Sequence, residues 1–194
     1  MSEQNLLASF KEASELLKAF SSKPDNIQTM DKIITCMSDS LKNGGKILSC
    51  GNGGSMCDAM HFAEELSGRF KKDRPALGAL AISDPAHISC VANDYGYDFI
   101  FARQVEALGR SGDILLGIST SGNSKNVINA VEAAKARGMK TVALLGKNGG
   151  QLKEMVDLSL IVESGSTARV QEIHIKIIHM LIENIEQKIF PELV

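Results

Sequence analysis

The chain has 194 residues, of which 44% are hydrophobic and 23% are charged, with a formal net charge of −2. No Pro-, Ser- or Gln-rich stretch divides it, so we expect one domain over residues 1–194, in which a helical pair at 1–43 precedes an α/β core at 44–194. Because the net charge is small and no cluster of basic residues is present, no nucleic-acid partner is expected.

The amino-terminal residues and the cysteines indicate the compartment. Residues 1–20 lack the apolar core of a signal peptide, and no apolar run approaches the ~20 residues that span a bilayer, so no membrane partner is expected. The four cysteines form no Cys-x-x-Cys pair. Reduced thiols are typical of the cytoplasm, and we expect a cytoplasmic protein.

Two amphipathic helices are predicted at the amino-terminal end. The apolar stripe of the first is narrow, with alternating spacings of four and three: Leu6, Phe10, Ala13, Leu17 and Phe20. The second stripe is wider and ends before two glycines: Ile27, Met30, Ile33, Ile34, Met37 and Leu41. A stripe on a terminal helix packs either on its own core or against another subunit, and both interpretations are open here.

Five short apolar runs alternate with helical stretches in the rest of the chain. They are KILSC (46–50), GALAI (78–82), DILLGIS (113–119), KTVALLG (140–146) and DLSLIVE (157–163). Continuous apolar runs separated by helices predict a parallel sheet with helices on both faces. Because ligands of such sheets bind at the carboxyl ends of the strands, the loops after residues 50 and 118 are candidate binding loops.

The first candidate loop, CGNGGS (50–55), precedes a predicted helix that carries His61 and Glu65 on one face. Glycines let backbone N–H groups approach an anion, and the start of the helix adds its positive end. The loop lacks the dinucleotide-binding pattern G-x-G-x-x-G, because Met56 stands at the third glycine position, and it lacks the P-loop pattern. A tight turn without a ligand is the alternative interpretation.

The second candidate loop, STSGNS (119–124), brings four hydroxyl groups to the start of another predicted helix. Every one of these groups can donate a hydrogen bond, and none repels an anion, so the loop predicts phosphate binding. A helix cap alone needs one serine. A serine nucleophile is not expected, because Ser121 stands where the pattern G-x-S-x-G needs its second glycine.

The last long helix, predicted over about 167–189, carries Gln171, His174 and His179 among aliphatic residues. A histidine in such a helix is more often a core or surface residue than a ligand, and the same holds for His87. Read alone, these histidines indicate no function.

Four segments together resemble the sugar-isomerase (SIS) family: GNGGSMCDAMHFAEEL, AISDPAHISCVANDYG, DILLGISTSGNSKNV and ARVQEIHIKIIH. The resemblance spans nearly the whole chain. It implies a flavodoxin-like SIS domain with five parallel strands, a homotetramer with its sites at subunit interfaces, and one zinc ion per subunit. It also implies the conversion of sedoheptulose 7-phosphate to D-glycero-D-manno-heptose 7-phosphate, the first step of ADP-heptose supply for the lipopolysaccharide core.

The resemblance implies the site residues as well. Its metal ligands fall on His61, Glu65, Gln171 and His179. Its substrate contacts fall on Asn52, Gly53, Gly54, Ser55, Asn93, Asp94, Ser119, Thr120, Ser121, Ser124 and Gln171. The segment 163–168 departs from the family, in which some members have an aromatic-rich segment ending in aspartate, so no contact is carried over there.

The chemistry gives an independent reason for part of this set. Isomerisation through an enediol needs a base that moves a proton between neighbouring carbons and an acid that serves the oxygens. Glu65 suits the base and His179 the acid, and a metal ion can polarise the carbonyl. The alternative function is a non-catalytic SIS protein that binds a sugar phosphate or a replication initiator.

Two features of the implied metal site conflict with simple chemistry. A zinc-bound carboxylate is a weakened base, so Glu65 cannot fill both roles at one moment. Gln171 and His179 stand eight residues apart, about 12 Å along an ideal helix. They reach one ion only if their side chains stretch, the helix bends or a neighbouring subunit contributes, and glutamine is a poor zinc ligand beside histidine.

Overall fold

The five predicted strands form one parallel sheet in the computed structural model, which describes residues 3–193. The strands are β1 (Ile47–Gly51), β2 (Ala79–Ala81), β3 (Ile114–Ser119), β4 (Lys140–Gly146) and β5 (Leu158–Val162), in the order β2-β1-β3-β4-β5. The helices are α1 (Glu3–Ser21), α2 (Pro24–Lys42), α3 (Gly54–Ser67), α4 (Pro85–Asp94), α5 (Ala102–Leu108), α6 (Lys125–Ala136), α7 (Leu152–Met155) and α8 (Thr167–Ile189). Single 3₁₀ turns lie at Tyr97–Phe99 and Pro191–Leu193.

The sheet has an apolar layer on each face, as the continuous apolar runs predict. Successive residues of a strand point to opposite faces, so Ile114 and Leu116 pack with α2, α3 and α8, whereas Leu115 packs with α4, α5 and α6. The predicted fold class, five parallel strands with helices on both faces, is confirmed. Within residues 3–193, no helix is long and apolar enough to cross a bilayer.

Helix α1 buries little of its surface against the rest of the chain. Phe20 is its one buried residue, whereas Leu6, Phe10 and Leu17 expose 57%, 74% and 40% of their surface. Arg169 Nη1 donates to the carbonyl of Ser9 and connects α1 to the start of α8. Most of the stripe of α1 is therefore exposed, and Phe20 is the stripe residue that joins the core of its own chain.

His174 fastens α8 to the sheet. Its side chain is fully buried, and its Nε2 lies 3.1 Å from the carbonyl oxygen of Leu145, near the end of β4. Nδ1 has no hydrogen-bond partner among the described residues. Burial lowers the pKa of His174 from its ordinary value of 6.5 to about 4. This histidine is therefore a neutral core residue, as such a position usually is.

We expect the stability of the protein to fall between pH 8 and pH 5 because of His174. The unfolded chain takes up a proton near pH 6.5, whereas folded His174 does so only near pH 4. Stability is therefore lost as the pH falls through this window, by about 2 kcal/mol at pH 5. Urea unfolding at both pH values measures the loss, and His174→Gln, which keeps a donor but does not titrate, should show about 2 kcal/mol less of it. Equal losses in the two proteins would contradict the assignment.

Candidate active site

The two candidate loops lie side by side at the carboxyl edge of the sheet. Strand β1 ends at Gly51, which pairs with Ile118 in the next-to-last position of β3. The glycine turn 51–54 and the hydroxyl loop 119–124 therefore leave neighbouring strands in the same direction. Helices α3 and α6 begin directly after these loops, so the positive ends of both helices are directed toward this edge.

Two positions of the glycine turn require glycine, one for its backbone angle and one for lack of space. Gly53 has a φ of 57°, in the left-handed region that favours glycine. At Gly54 a Cβ atom would lie 2.5 Å from Nε2 and 2.8 Å from Oε1 of Gln171. The amide of Gln171, on α8, therefore lies directly against the turn. Ser55 follows as a buried residue in the first turn of α3.

Three of the four predicted hydroxyl groups converge in the hydroxyl loop. Ser119 Oγ lies 2.9 Å from Ser124 Oγ and 3.4 Å from Ser121 Oγ. Ser119 also accepts a hydrogen bond from the backbone N–H of Gly122. Thr120 is half-buried, and none of the described hydrogen bonds involves its hydroxyl group. The converging groups form a cluster of donors without a lysine or arginine in the loop.

His61, Glu65 and His179 meet where α3 packs against α8. His61 Nε2 lies 3.3 Å from Glu65 Oε1 on the next turn of α3 and 3.3 Å from His179 Nε2 on α8. Phe70 stacks on the other side of the His179 ring, with 5.8 Å between the ring centroids. Two imidazoles and a carboxylate thus share one cluster that is partly open to solvent.

The donor set of this cluster suits a zinc ion. Two imidazoles and a carboxylate form a ligand set known from catalytic zinc sites. Two ligand atoms of a tetrahedral zinc ion lie roughly 3.3 to 3.5 Å apart at the usual bond lengths. Both separations in the cluster, at 3.3 Å, match that spacing. The ligand atoms of His61, Glu65 and Glu64, a residue that the sequence did not suggest, also lie within 4.8 Å of one another.

Burial changes the proton affinity of two groups in this region. Burial lowers the pKa of His179; the neighbouring His61 and Lys176 act in the same direction, whereas Glu65 opposes them. One turn before His61, burial raises the pKa of Asp58 to about 6. Its Oδ2 has no hydrogen-bond partner among residues 3–193. The helix face beneath the cluster is thus poorly solvated.

Arg74 holds the end of α3 against α8. Its guanidinium donates to the backbone carbonyls of Glu65, Leu66 and Gly68, which the end of the helix leaves without helical partners. Its Nε also pairs with Glu186 of α8 at 2.8 Å. This buried arginine fixes the two helices that carry the cluster at their common end.

Two predicted substrate contacts lie at the exposed end of α4. Asn93 and Asp94 are exposed at the end of α4, where Asn93 Nδ2 donates to Asp94 Oδ1. Within residues 3–193 no hydrogen bond joins them to the other predicted site residues. The aromatic segment 95–99, which contains Tyr95, Tyr97 and Phe99, follows them along the chain. It does reach the site, because the Tyr97 hydroxyl group donates to Asn52.

The structure adds Asn126 and Tyr97 to the predicted residues, since both form hydrogen bonds with Asn52. Asn126 follows directly on the hydroxyl loop, in the first turn of α6. The sequence shows that Asn126 lies next to the hydroxyl loop, but it does not show that this asparagine is buried.

A five-stranded parallel sheet with a glycine turn and a hydroxyl loop at one edge, and with two histidines and a glutamate gathered between α3 and α8, is the arrangement of a sugar-phosphate isomerase domain. The model of the SIS domain matches residues 9–146. This chain belongs to the SIS domain family, within which its relatives are the phosphoheptose isomerases.

Relatives of known name cover nearly the whole chain. The phosphoheptose isomerase of Pectobacterium atrosepticum is 56% identical over 187 residues, which are 95% of this chain and 97% of that protein. The phosphoheptose isomerase of Vibrio parahaemolyticus is 55% identical over 187 residues, which are 95% of this chain and 98% of that protein. The solved structure of the phosphoheptose isomerase GmhA from Neisseria gonorrhoeae superposes with a TM-score of 0.90 at 41% identity, and covers 95% of this chain and 98% of that chain.

Proposed function

We propose that this chain is an aldose–ketose isomerase that converts sedoheptulose 7-phosphate to D-glycero-D-manno-heptose 7-phosphate, which supplies ADP-heptose for the lipopolysaccharide core. The observation that carries the proposal is the meeting of Glu65, His61 and His179 between α3 and α8, in a domain whose glycine turn and hydroxyl loop share one edge of the sheet. The relatives named phosphoheptose isomerase, identical at more than half of the aligned positions, support the choice of sugar.

The proton path follows from the groups in the cluster. Glu65 takes a proton from C1 of the ketose, and His179 gives a proton to the carbonyl oxygen on C2, which forms the enediol. The proton on Glu65 then passes to C2, while His179 takes back the proton of the hydroxyl group on C1. The aldose results, and both side chains return to their starting states.

The remaining predicted contacts hold the substrate for this transfer. Ser119, Ser121 and Ser124 hold the phosphate, and the amide of Gln171 binds a sugar hydroxyl group beside the glycine turn. The backbone of Gly53 and Gly54, Ser55 and Thr120 line the path between them. Asn93 and Asp94 contact the sugar from the end of α4. Holding the phosphate far from the reacting carbons places C1 and C2 against Glu65.

A turnover assay tests the function directly. Purified protein is incubated with sedoheptulose 7-phosphate, fructose 6-phosphate and ribulose 5-phosphate in parallel, and the aldose products are quantified. We expect turnover of the seven-carbon sugar at least tenfold above the other two. No turnover of any of the three would contradict the isomerase proposal, and a faster reaction with a shorter sugar would contradict the substrate.

A non-catalytic SIS protein is the less favoured alternative. A protein that only binds a sugar phosphate needs the hydroxyl loop but neither an acid nor a base. This chain keeps both, 3.3 Å on either side of His61. Nothing in the cluster suggests a surface for a replication initiator, and the relatives reported above are isomerases by name.

We propose a zinc ion at the cluster of His61, Glu65 and His179, with Gln171 completing the set predicted by the resemblance. Glu65 and His179 transfer protons only while they are not bound to the ion. The distances of 3.3 Å from His61 to Glu65 and from His61 to His179 support this placement, and the ligand atoms of His61, Glu64 and Glu65 lie within 4.8 Å of one another. Gln171 lies against the glycine turn two helical turns before His179, so its part in the metal site is the weakest of the four. A bound zinc ion would polarise the carbonyl of the substrate.

His61→Ala should remove the zinc ion, because His61 is the residue that both other ligands approach. We expect the zinc content, measured by plasma emission spectrometry after dialysis, to fall from about one ion per subunit to below one tenth. His87→Ala is the matched control, since His87 Nε2 lies 2.9 Å from the carbonyl oxygen of Ile100, and should leave the zinc content unchanged. Full zinc content in His61→Ala would exclude this site.

We propose that the chain forms a homotetramer with its sites at subunit interfaces. The exposed stripe of α1 is suited to contact with a second copy. Exposed apolar side chains also flank the site, with Met60 beside His61 on α3 and Tyr95, Tyr97 and Phe99 after α4. The four free cysteines support a cytoplasmic location for this assembly.

Phe10→Asp should dissociate the assembly, since it places a charge in the most exposed residue of the stripe. We expect light scattering at about 10 µM to show dimers or monomers in place of tetramers, because burying one unpaired carboxylate costs several kcal/mol. Lys11→Glu, which changes the opposite face of α1, should remain tetrameric. A tetrameric Phe10→Asp protein would show that the stripe lies outside the interface.

A further inference from the structure

An amide pair joins the glycine turn to the start of α6. Asn52 Nδ2 donates to Asn126 Oδ1 at 2.9 Å, and Asn126 Nδ2 donates back to Asn52 Oδ1 at 2.8 Å. The hydroxyl group of Tyr97 donates to the same Oδ1 at 3.2 Å. Three segments that surround the site, after β1, β3 and α4, therefore meet at one group of hydrogen bonds.

The pair occupies most of the hydrogen-bonding capacity of Asn52. Its Oδ1 accepts two hydrogen bonds, which fills both lone pairs, and one of its two N–H groups is also used. Asn126 is only 3% exposed. The side chain of Asn52 is thus left with one N–H group for a ligand, and most of its bonds hold the loops.

No other side-chain hydrogen bond joins residues 51–54 to residues 119–126 within the part of the chain that the structure describes. The strands beneath them pair only as far as Gly51 and Ile118. Beyond this point the amide pair fixes the distance between the two loops. Rotation of one amide alone would set oxygen against oxygen and nitrogen against nitrogen, so the pair also fixes orientation.

We propose that Asn126 is a positioning residue of the isomerase, which acts through Asn52 to hold the glycine turn at the correct distance from the hydroxyl loop, with Tyr97 as its second partner. The inference rests on the proposed function, because a sugar phosphate must reach both loops at once. Its phosphate lies in the hydroxyl loop while its reacting end passes the glycine turn. A ligand that fills only one loop does not depend on the distance between them.

The ratio of the affinities for a ligand that reaches both loops and a ligand that fills only one therefore tests the proposal. A residue that only stabilises the fold would not change this ratio. In Asn126→Leu, which removes both hydrogen bonds at similar volume, we expect the calorimetric affinity for sedoheptulose 7-phosphate to fall about ten- to a hundredfold. The affinity for inorganic phosphate should stay within about threefold of the wild type, because the serine hydroxyl groups are intact. Equal losses for the two ligands, or no loss for either, would overturn the proposal.

Asn129→Leu is the matched control. Asn129 lies one turn further along α6 and also reaches the aromatic segment, donating to the carbonyl of Asp98 at 2.9 Å, but it does not contact Asn52. Its variant should bind both ligands like the wild type. In an Asn52→Leu background, the further change Asn126→Leu should alter sugar-phosphate affinity less than about twofold, since Asn126 has lost the group through which it acts. A full additive loss would contradict the route through Asn52.

Tyr97→Phe keeps the proposal testable if Asn126→Leu does not fold. Tyr97 is 54% exposed, so loss of its hydroxyl group leaves the core unchanged. It removes one of the three hydrogen bonds and should weaken sugar-phosphate binding about two- to tenfold, with phosphate binding unchanged.

A wild type that binds the sugar phosphate without turning it over refutes the proposed function alone. A wild type that does not bind it refutes both proposals.

Discussion

Glu65→Gln and His179→Ala are each expected to lower kcat about 10²- to 10⁴-fold, the usual contribution of a positioned acid or base. Glutamine keeps the shape of Glu65 but cannot take a proton from C1. Alanine at position 179 removes the group that serves the two oxygens and leaves Phe70 without its stacked ring. Neither change touches the buried core, so the circular dichroism spectrum should match that of the wild type.

Zinc content separates the two roles of Glu65. Glutamine still offers an oxygen where Glu65 Oε1 faces His61, so a variant that keeps its zinc but loses turnover points to the base role. Glu183→Gln is the control on α8, one turn after His179, because Glu183 forms an exposed ion pair with Lys71. Its turnover should stay within about twofold of the wild type. Near wild-type activity in Glu65→Gln or His179→Ala would refute the role of that residue.

Ser124→Ala is expected to raise KM about ten- to a hundredfold with a smaller change in kcat. A hydrogen bond to a charged oxygen contributes about 1.5 to 3 kcal/mol, and an anchor that holds ground state and transition state alike affects mainly KM. Ser121 and Ser124 both lie next to Ser119, Ser124 at 2.9 Å. The effects of Ser121→Ala and Ser124→Ala on KM should therefore not add up in the double variant. Initial rates over a range of sedoheptulose 7-phosphate concentrations measure both constants.

Dephosphorylated sedoheptulose distinguishes anchoring from damage to the fold. The wild type should use this sugar poorly, and Ser124→Ala should use it no worse than the wild type does. Ser111→Ala is the control, since Ser111 is exposed near the amino end of β3, away from the hydroxyl loop, and should behave like the wild type. If Ser124→Ala impairs both sugars equally, the hydroxyl loop does not bind the phosphate.

Residues 163–168 differ in sequence from the aromatic-rich segment of some family members. Glu163 pairs with Lys23 at 2.7 Å, and Ser166 accepts a hydrogen bond from the N–H of Arg169 at the start of α8. This segment therefore attaches α8 to the rest of the chain, and no contact from it is included in the proposed site. The reacting groups proposed here come from α3 and α8 alone.

The sequence by itself determined the architecture and the chemistry of single residues. Each predicted strand run contains an observed strand. In β1, β3 and β4 the reason is that a strand buried on both faces must be apolar at nearly every position. The position of the two loops was predictable as well, because the carboxyl ends of parallel strands lie at one edge of the sheet. The helix that carries Gln171 and His179 was predicted with the bounds that the structure has.

Only the tertiary structure decided which residues meet. His61 and His179 are separated by most of the chain, and their 3.3 Å approach depends on how α3 packs against α8. The contact of Gln171 with Gly54 and the amide pair of Asn52 and Asn126 depend on packing in the same way. The stripe of α1 was visible in the sequence, but its exposure was not, because periodicity identifies an apolar face and does not say which surface covers it.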